Sequence, residues 1–187
     1  MERLRRRWND WFMYFIVYCF TGWVYELLVF QFEYGKGWQN RGFLFGPYLP
    51  VYGFGGLAVV ILLSKLKERK IYIGKINITP ILIFFGIILI TTALELGTSY
   101  IMEMIVSKGN WLWDYSMYKI NFQGRIALNS SLRFGIIGIA GLYAIQPLLE
   151  RMSGKLREYA AYAYATYGIA ALFVTDVIAR FFLGSNY

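Results

Sequence analysis

"TPILIFFGIILITTALELGTSYIMEM", residues 79–104, sets the frame for this chain. It is one apolar run, and a bilayer core needs roughly 20 residues of helix to cross it. The run nevertheless contains Glu95 and Glu103. Thr91, Glu95, Ser99 and Glu103 recur every four residues, so a helix places all four on one face. A charge inside lipid is costly, so such a face turns toward protein or water.

Four further runs of this kind lie near 11–32, 48–66, 126–148 and 159–183. The expected fold is all-α, a single polytopic transmembrane domain over 1–187 with about five spans. The composition agrees: 58% of residues are hydrophobic, and the mean hydropathy is positive. The first run follows the basic segment "MERLRRRWND". It is too long and aromatic for a signal peptide and lacks a small-residue cleavage site, so it reads as a retained span.

Charge supplies the orientation. Arg3, Arg5, Arg6 and Arg7 open the chain. "SKLKERKIYIGK" (64–75) and "ERMSGKLRE" (150–158) carry most of the other cations. With five spans these three regions share one side, which the positive-inside rule makes cytoplasmic. The N-terminus is then inside and the C-terminus outside. Trp8, Trp11, Trp38, Trp111 and Trp113 fall near span ends, as an interfacial belt does. In so apolar a chain the net charge of +8 reads as juxtamembrane anchoring rather than nucleic-acid binding.

The chain has no histidine and one cysteine, Cys19. The commonest general base and zinc ligand is therefore missing, as is any internal disulfide. No catalytic motif, metal-ligand set or cofactor fingerprint is legible. "GFGG" lacks the strand and lysine of a phosphate cradle. "GIIGIAG", with Gly135, Gly138 and Gly141, reads as helix packing.

The expected chemistry lies on the opposite, outer side. "NRGFLFGPYLPVYGFGG" (40–56) breaks the helical pattern with Gly and Pro. It offers Asn40, Arg41, Tyr48 and Tyr52. "NWLWDYSMYKINFQGRIALNSSLRFG" (110–135) offers Trp113, Asp114, Asn121, Arg125, Asn129 and Arg133. Counting about 1.5 Å per residue from the inner end puts Glu26, Glu95 and Asp176 at similar levels in the outer half. Arg125, Asn129 and Arg133 follow helical spacing, and Asp176 and Arg180 form an i, i+4 pair. Glu26, Glu95, Glu103 and Asp114 set against Arg41, Arg125 and Arg133 suggest a polar cavity in the outer half that binds a small solute. Residues 40–56 would dip into its mouth, because non-helical backbone at membrane depth must be buried in protein or line a watery cavity.

Five motifs carry a resemblance: "FTGWVYE" (20–26), "NRGFLFGPYLPVYGFGG" (40–56), "ALELGTSYIME" (93–103), "WLWDYS" (111–116) and "NFQGRIALNSSLRFG" (121–135). In these the sequence resembles the CmpB-like, type IV group of ABC-transporter permeases of bacteria. The resemblance implies transport across the cytoplasmic membrane. The chain has no ATP-binding motif, so ATP-driven transport would need a separate ATPase or other transporter subunit. Membrane lipids and a second copy of the chain are the other expected partners. Two alternatives stand beside a permease or substrate-binding subunit. One is a membrane-embedded enzyme acting on a lipid or lipid-linked substrate, with Glu95 or Asp114 as base. The other is a structural or sensory partner.

Overall fold

The computed structural model describes residues 2–33, 35, 37, 38, 40, 42–105 and 113–183, with side chains from Arg7 onward. The protein is an all-α polytopic membrane protein. Five helical stretches are long and apolar enough to span a bilayer: Arg7–Phe32, Pro50–Glu68, Thr79–Ile105, Leu128–Leu156 and Ala160–Leu183. The helices are α1 (Glu2–Phe32), α2 (Pro50–Glu68), α3 (Thr79–Ile105), α4 (Leu128–Ala140), α5 (Gln146–Leu156) and α6 (Ala160–Leu183).

Several boundaries differ from the sequence expectation, the first span beginning at Arg7 rather than 11. The second span begins at Pro50 rather than 48, because proline fits a first helical turn, where its missing N–H costs nothing. The fourth begins at Leu128 and runs to Leu156, past the expected end at 148. It continues through one π turn, Gly141–Ile145, between α4 and α5. Pro147 explains that turn. The Gln146 N–H reaches back to the Gly141 carbonyl. Pro147 has no N–H to offer the next carbonyl in the π register, that of Leu142. Lys67 Nζ donates to that oxygen at 2.9 Å and lies 5.1 Å from the Tyr143 ring centroid.

The loops flanking α3 each fold into a short antiparallel hairpin. Before α3, β1 (Tyr72–Ile73) pairs with β2 (Ile76–Asn77), with Tyr72 opposite Asn77 and Ile73 opposite Ile76. After α3, β3 (Asn121–Phe122) pairs with β4 (Ile126–Ala127), with Asn121 opposite Ala127. The turns are readable in hindsight, since Gly74 and Gly124 adopt positive φ.

The chain forms two compact units, one of Met1–Phe54 with Leu148–Tyr187 and one of Gly55–Pro147. In the first unit, Phe15, Tyr18 and Cys19 of α1 are buried, and Phe15 meets Phe54 and Phe173 edge-on. A side chain at Gly53 would overlap Cys19 and Phe15, and one at Gly22 would overlap the Tyr52 ring. Close helix approach at small residues is the usual packing of membrane helices. In the second unit α3 packs on α4 in the same way. Ile83 and Ile87 are fully buried, and Gly135 and Gly138 lie against Phe84 and Ile87.

Candidate functional site

The second unit holds a buried charge cluster. Glu95, Ser99 and Glu103 share one face of α3, and Glu95 and Ser99 are buried. Arg125 reaches this face from the β3–β4 hairpin and not from a helix. Gln123 and Gly124 take φ of 55° and 68°, reversing the chain. The Gly124 N–H donates to Asn121 Oδ1 at 2.9 Å, and the Tyr115 N–H donates to the Gly124 carbonyl at 2.8 Å. Any side chain at Gly124 would press on Asp114 and Ser116. Trp113 Nε1 donates to the Arg125 carbonyl at 2.8 Å, fixing the backbone from the other side.

The guanidinium then meets three α3 groups. Arg125 Nη2 pairs with Glu103 Oε2 at 2.5 Å. Nη1 lies 3.4 Å from Ser99 Oγ. The guanidinium carbon stands 4.2 Å from the Tyr100 ring centroid, a cation–π contact. Arg125 is only 7% exposed while the Glu103 side chain keeps 29% of its surface open, so the pair is partly desolvated and loss of either partner is costly. Nearby on α3, Glu95 Oε1 accepts from Tyr115 OH at 2.8 Å, and Ser130 Oγ lies 3.1 Å from the Tyr115 hydroxyl.

Asp114 serves the loop. Its Oδ1 accepts from Ser116 N–H at 2.8 Å and Ser116 Oγ at 2.5 Å. These bonds, the side-chain one first, hold its carboxyl below the usual carboxylate range.

The first unit holds a different polar set, built around residues 42–49. Asp176 of α6 accepts from the backbone N–H of Phe45 at 3.0 Å and of Gly46 at 2.7 Å. It also accepts from the Tyr48 hydroxyl. Burial, then the neighbouring Asp176 carboxylate, pushes the Tyr48 phenol well above its ordinary range. The Tyr48 N–H bonds the Gly46 carbonyl at 2.9 Å in a tight turn around Pro47, and the Leu49 N–H bonds the Cys19 carbonyl at 3.1 Å. Asn40 joins this segment to α1, accepting from Trp23 Nε1 at 2.7 Å and donating to the Phe45 carbonyl at 3.1 Å. The Tyr52 hydroxyl donates to Glu26. Arg180 lies over the rings of Phe43 and Phe45.

The candidates named from sequence therefore divide. Glu95, Glu103, Trp113 and Arg125 come together in the second unit, with Asp114 and Asn121 as turn formers beside them. Glu26, Asn40, Tyr48 and Tyr52 belong to the first unit. Arg41 lies outside the described residues, as does Trp111. The Arg125–Asn129–Arg133 stripe does not form, because the helix begins only at Leu128. Asn129 is exposed, Arg133 is half-buried, and the buried positions of α4 are Ser130, Ser131 and Gly135. Sequence reasoning passed over Tyr115, Ser130 and Tyr100. It read Asp176 as a partner for Arg180, with which it does interact, but missed its role as the acceptor for a distant loop.

The family described as "Putative ABC-transporter type IV" matches residues 13–181. The chain belongs to this family. The matched stretch includes the described residues of both polar sets, and membership makes the chain an ABC-transporter-related membrane protein. No curated protein and no solved structure matches it.

Proposed function

We propose that this chain is the permease or substrate-binding membrane subunit of a bacterial transporter for a small polar solute. The reading is a single transmembrane domain in the cytoplasmic membrane, N-terminus inside and C-terminus outside, working with a separate ATPase or other subunit and with a second copy of itself. The Arg125–Glu103 pair stacked on Tyr100 carries the reading. A partly desolvated ion pair is a weak device for stability alone, since apolar side chains of similar volume often serve as well. It suits a zwitterion, whose acidic group replaces Glu103 on Arg125 while Glu103 takes its ammonium. The exchange leaves no charge stranded.

The test is thermal stability of the purified protein in detergent against a panel of zwitterionic, anionic, cationic and neutral solutes. Zwitterions should raise the melting temperature of the wild type, and Arg125→Gln should abolish the shift. A shift that survives Arg125→Gln, or that only lipids or lipid-linked compounds produce, overturns the reading. The orientation is tested by cysteine labelling in a Cys19→Ala background. Lys70→Cys should label from inside and Lys119→Cys from outside.

A further inference from the structure

The hairpin between α2 and α3 has no role in that reading, yet it is built with care. Its base is closed by Thr79, which is 2% exposed. The Thr79 hydroxyl accepts from the Ile71 N–H at 2.9 Å and donates to the Arg69 carbonyl at 2.9 Å. The Ile78 N–H bonds the Ile71 carbonyl at 2.8 Å, and Asn77 Oδ1 accepts from the Thr79 N–H at 3.0 Å. The backbone is thus paired around the turn, as a segment in poorly hydrated surroundings requires.

Its side chains point the same way. Ile73 and Ile76, paired across the hairpin, share one face and are 68% and 67% exposed, while Tyr72 on the other face is 55% exposed. An isolated two-stranded hairpin is marginal in water, and this one exposes two isoleucines on one face and Tyr72, opposite Asn77, on the other. Lys65, Arg69, Lys70 and Lys75 around it are all exposed. Position supplies the occupant. Glu68 and Thr79 end two membrane spans, so the ten residues between them cannot leave the membrane surface.

We infer that residues 69–77 form a binding site for anionic phospholipid headgroups. Tyr72, Ile73 and Ile76 seat in the interfacial layer, and Arg69, Lys70 and Lys75 pair with lipid phosphates. Clustered cations just beyond a span are drawn to anionic leaflets in this manner.

The experiment uses the full chain, Cys19→Ala with a spin label at Ile73→Cys. The protein is reconstituted into phosphatidylcholine vesicles with and without phosphatidylglycerol. With phosphatidylglycerol the label should become accessible to oxygen and shielded from a water-soluble nickel chelate. Arg69→Gln, Lys70→Gln and Lys75→Gln together should return it to water, while Lys119→Gln on the other hairpin should not. Phosphatidylglycerol retained in native mass spectra should fall about fivefold for each cation removed. Because Thr79 closes the base, these exposed changes leave the hairpin folded, and an unchanged melting temperature in detergent checks this. Inorganic phosphate should not displace the label. If it does, the site takes free phosphate and the lipid assignment fails. Equal water exposure with and without phosphatidylglycerol overturns the inference. So does shielding that appears only when a protein partner is added.

Discussion

Residues 42–49 and residues 113–127 meet the same problem by opposite means. Both are non-helical backbone beside membrane spans, where unpaired N–H and C=O groups are costly. Residues 113–127 solve it locally. Asp114 serves Ser116, Asn121 serves Gly124, and the β3–β4 ladder closes the turn. Residues 42–49 solve it at long range, borrowing Asp176 from α6 and the Cys19 carbonyl from α1. The difference has a functional side. The self-sufficient loop is free to send Arg125 into α3, whereas the borrowing loop depends on another helix for its shape.

The sharpest way to break this contrast is Asp176→Ala. It should cost about 3 kcal/mol, since it strands two N–H groups and a hydroxyl that now reach a charged acceptor. Melting in detergent gives the size, and protease cleavage within 42–49 should rise while 113–127 stays protected. No change in either would mean the loop holds its own shape.

Arg125→Gln and Glu103→Gln come next, each lowering stability by about 2 kcal/mol, below the range for fully buried pairs because Glu103 is partly open to solvent. The double variant should lose less than the sum, and that coupling is the quantity a cycle isolates. Additive losses would show two independent residues.

Gly124→Ala should cost about 1–2 kcal/mol, because an L residue is strained at that φ. Its effect should stay within residues 113–127. A shift in cleavage at 42–49 would remove the distinction between local and borrowed support.

The smallest effect is in pH. Ser116 lowers the Asp114 pKa in the folded state. Its contribution is therefore full above the unfolded carboxylate value of about 3.9 and fades as pH falls through the lower folded value. Asp114→Asn should lower the melting temperature slightly at neutral pH, where the contribution is full, and leave the acid end nearly unchanged, so the acid limb of the profile flattens. An unaltered acid limb would show that Ser116 does not favour the charged form.

Much of the architecture was legible in residue order. Five apolar runs long enough to span were plain, and the helices lie close to where those runs predicted. The reason is that a bilayer selects on local composition over about 20 residues, which a sequence displays directly. The Glu95–Ser99–Glu103 face of α3 was legible for a similar reason, since helical period is a local property. Gly135 and Gly138 announced close packing without naming Phe84 or Ile87 as partners.

Partner choice was not legible. Arg125 looked like the first turn of a helix, because "RIALNSSLRF" keeps helical spacing. The left-handed pair Gln123–Gly124 and the β4 pairing hold it in a hairpin, which delays the helix to Leu128. Asp176 had Arg180 one turn away, yet it serves Phe45 and Gly46, more than a hundred residues distant. Lys67 looked like one more basic loop residue until Pro147 left the Leu142 carbonyl for it to fill. Spacing along a chain ranks near neighbours alone. Which unpaired amide or carbonyl a polar side chain serves depends on which helices pack together, and packing brings together groups that no local pattern links.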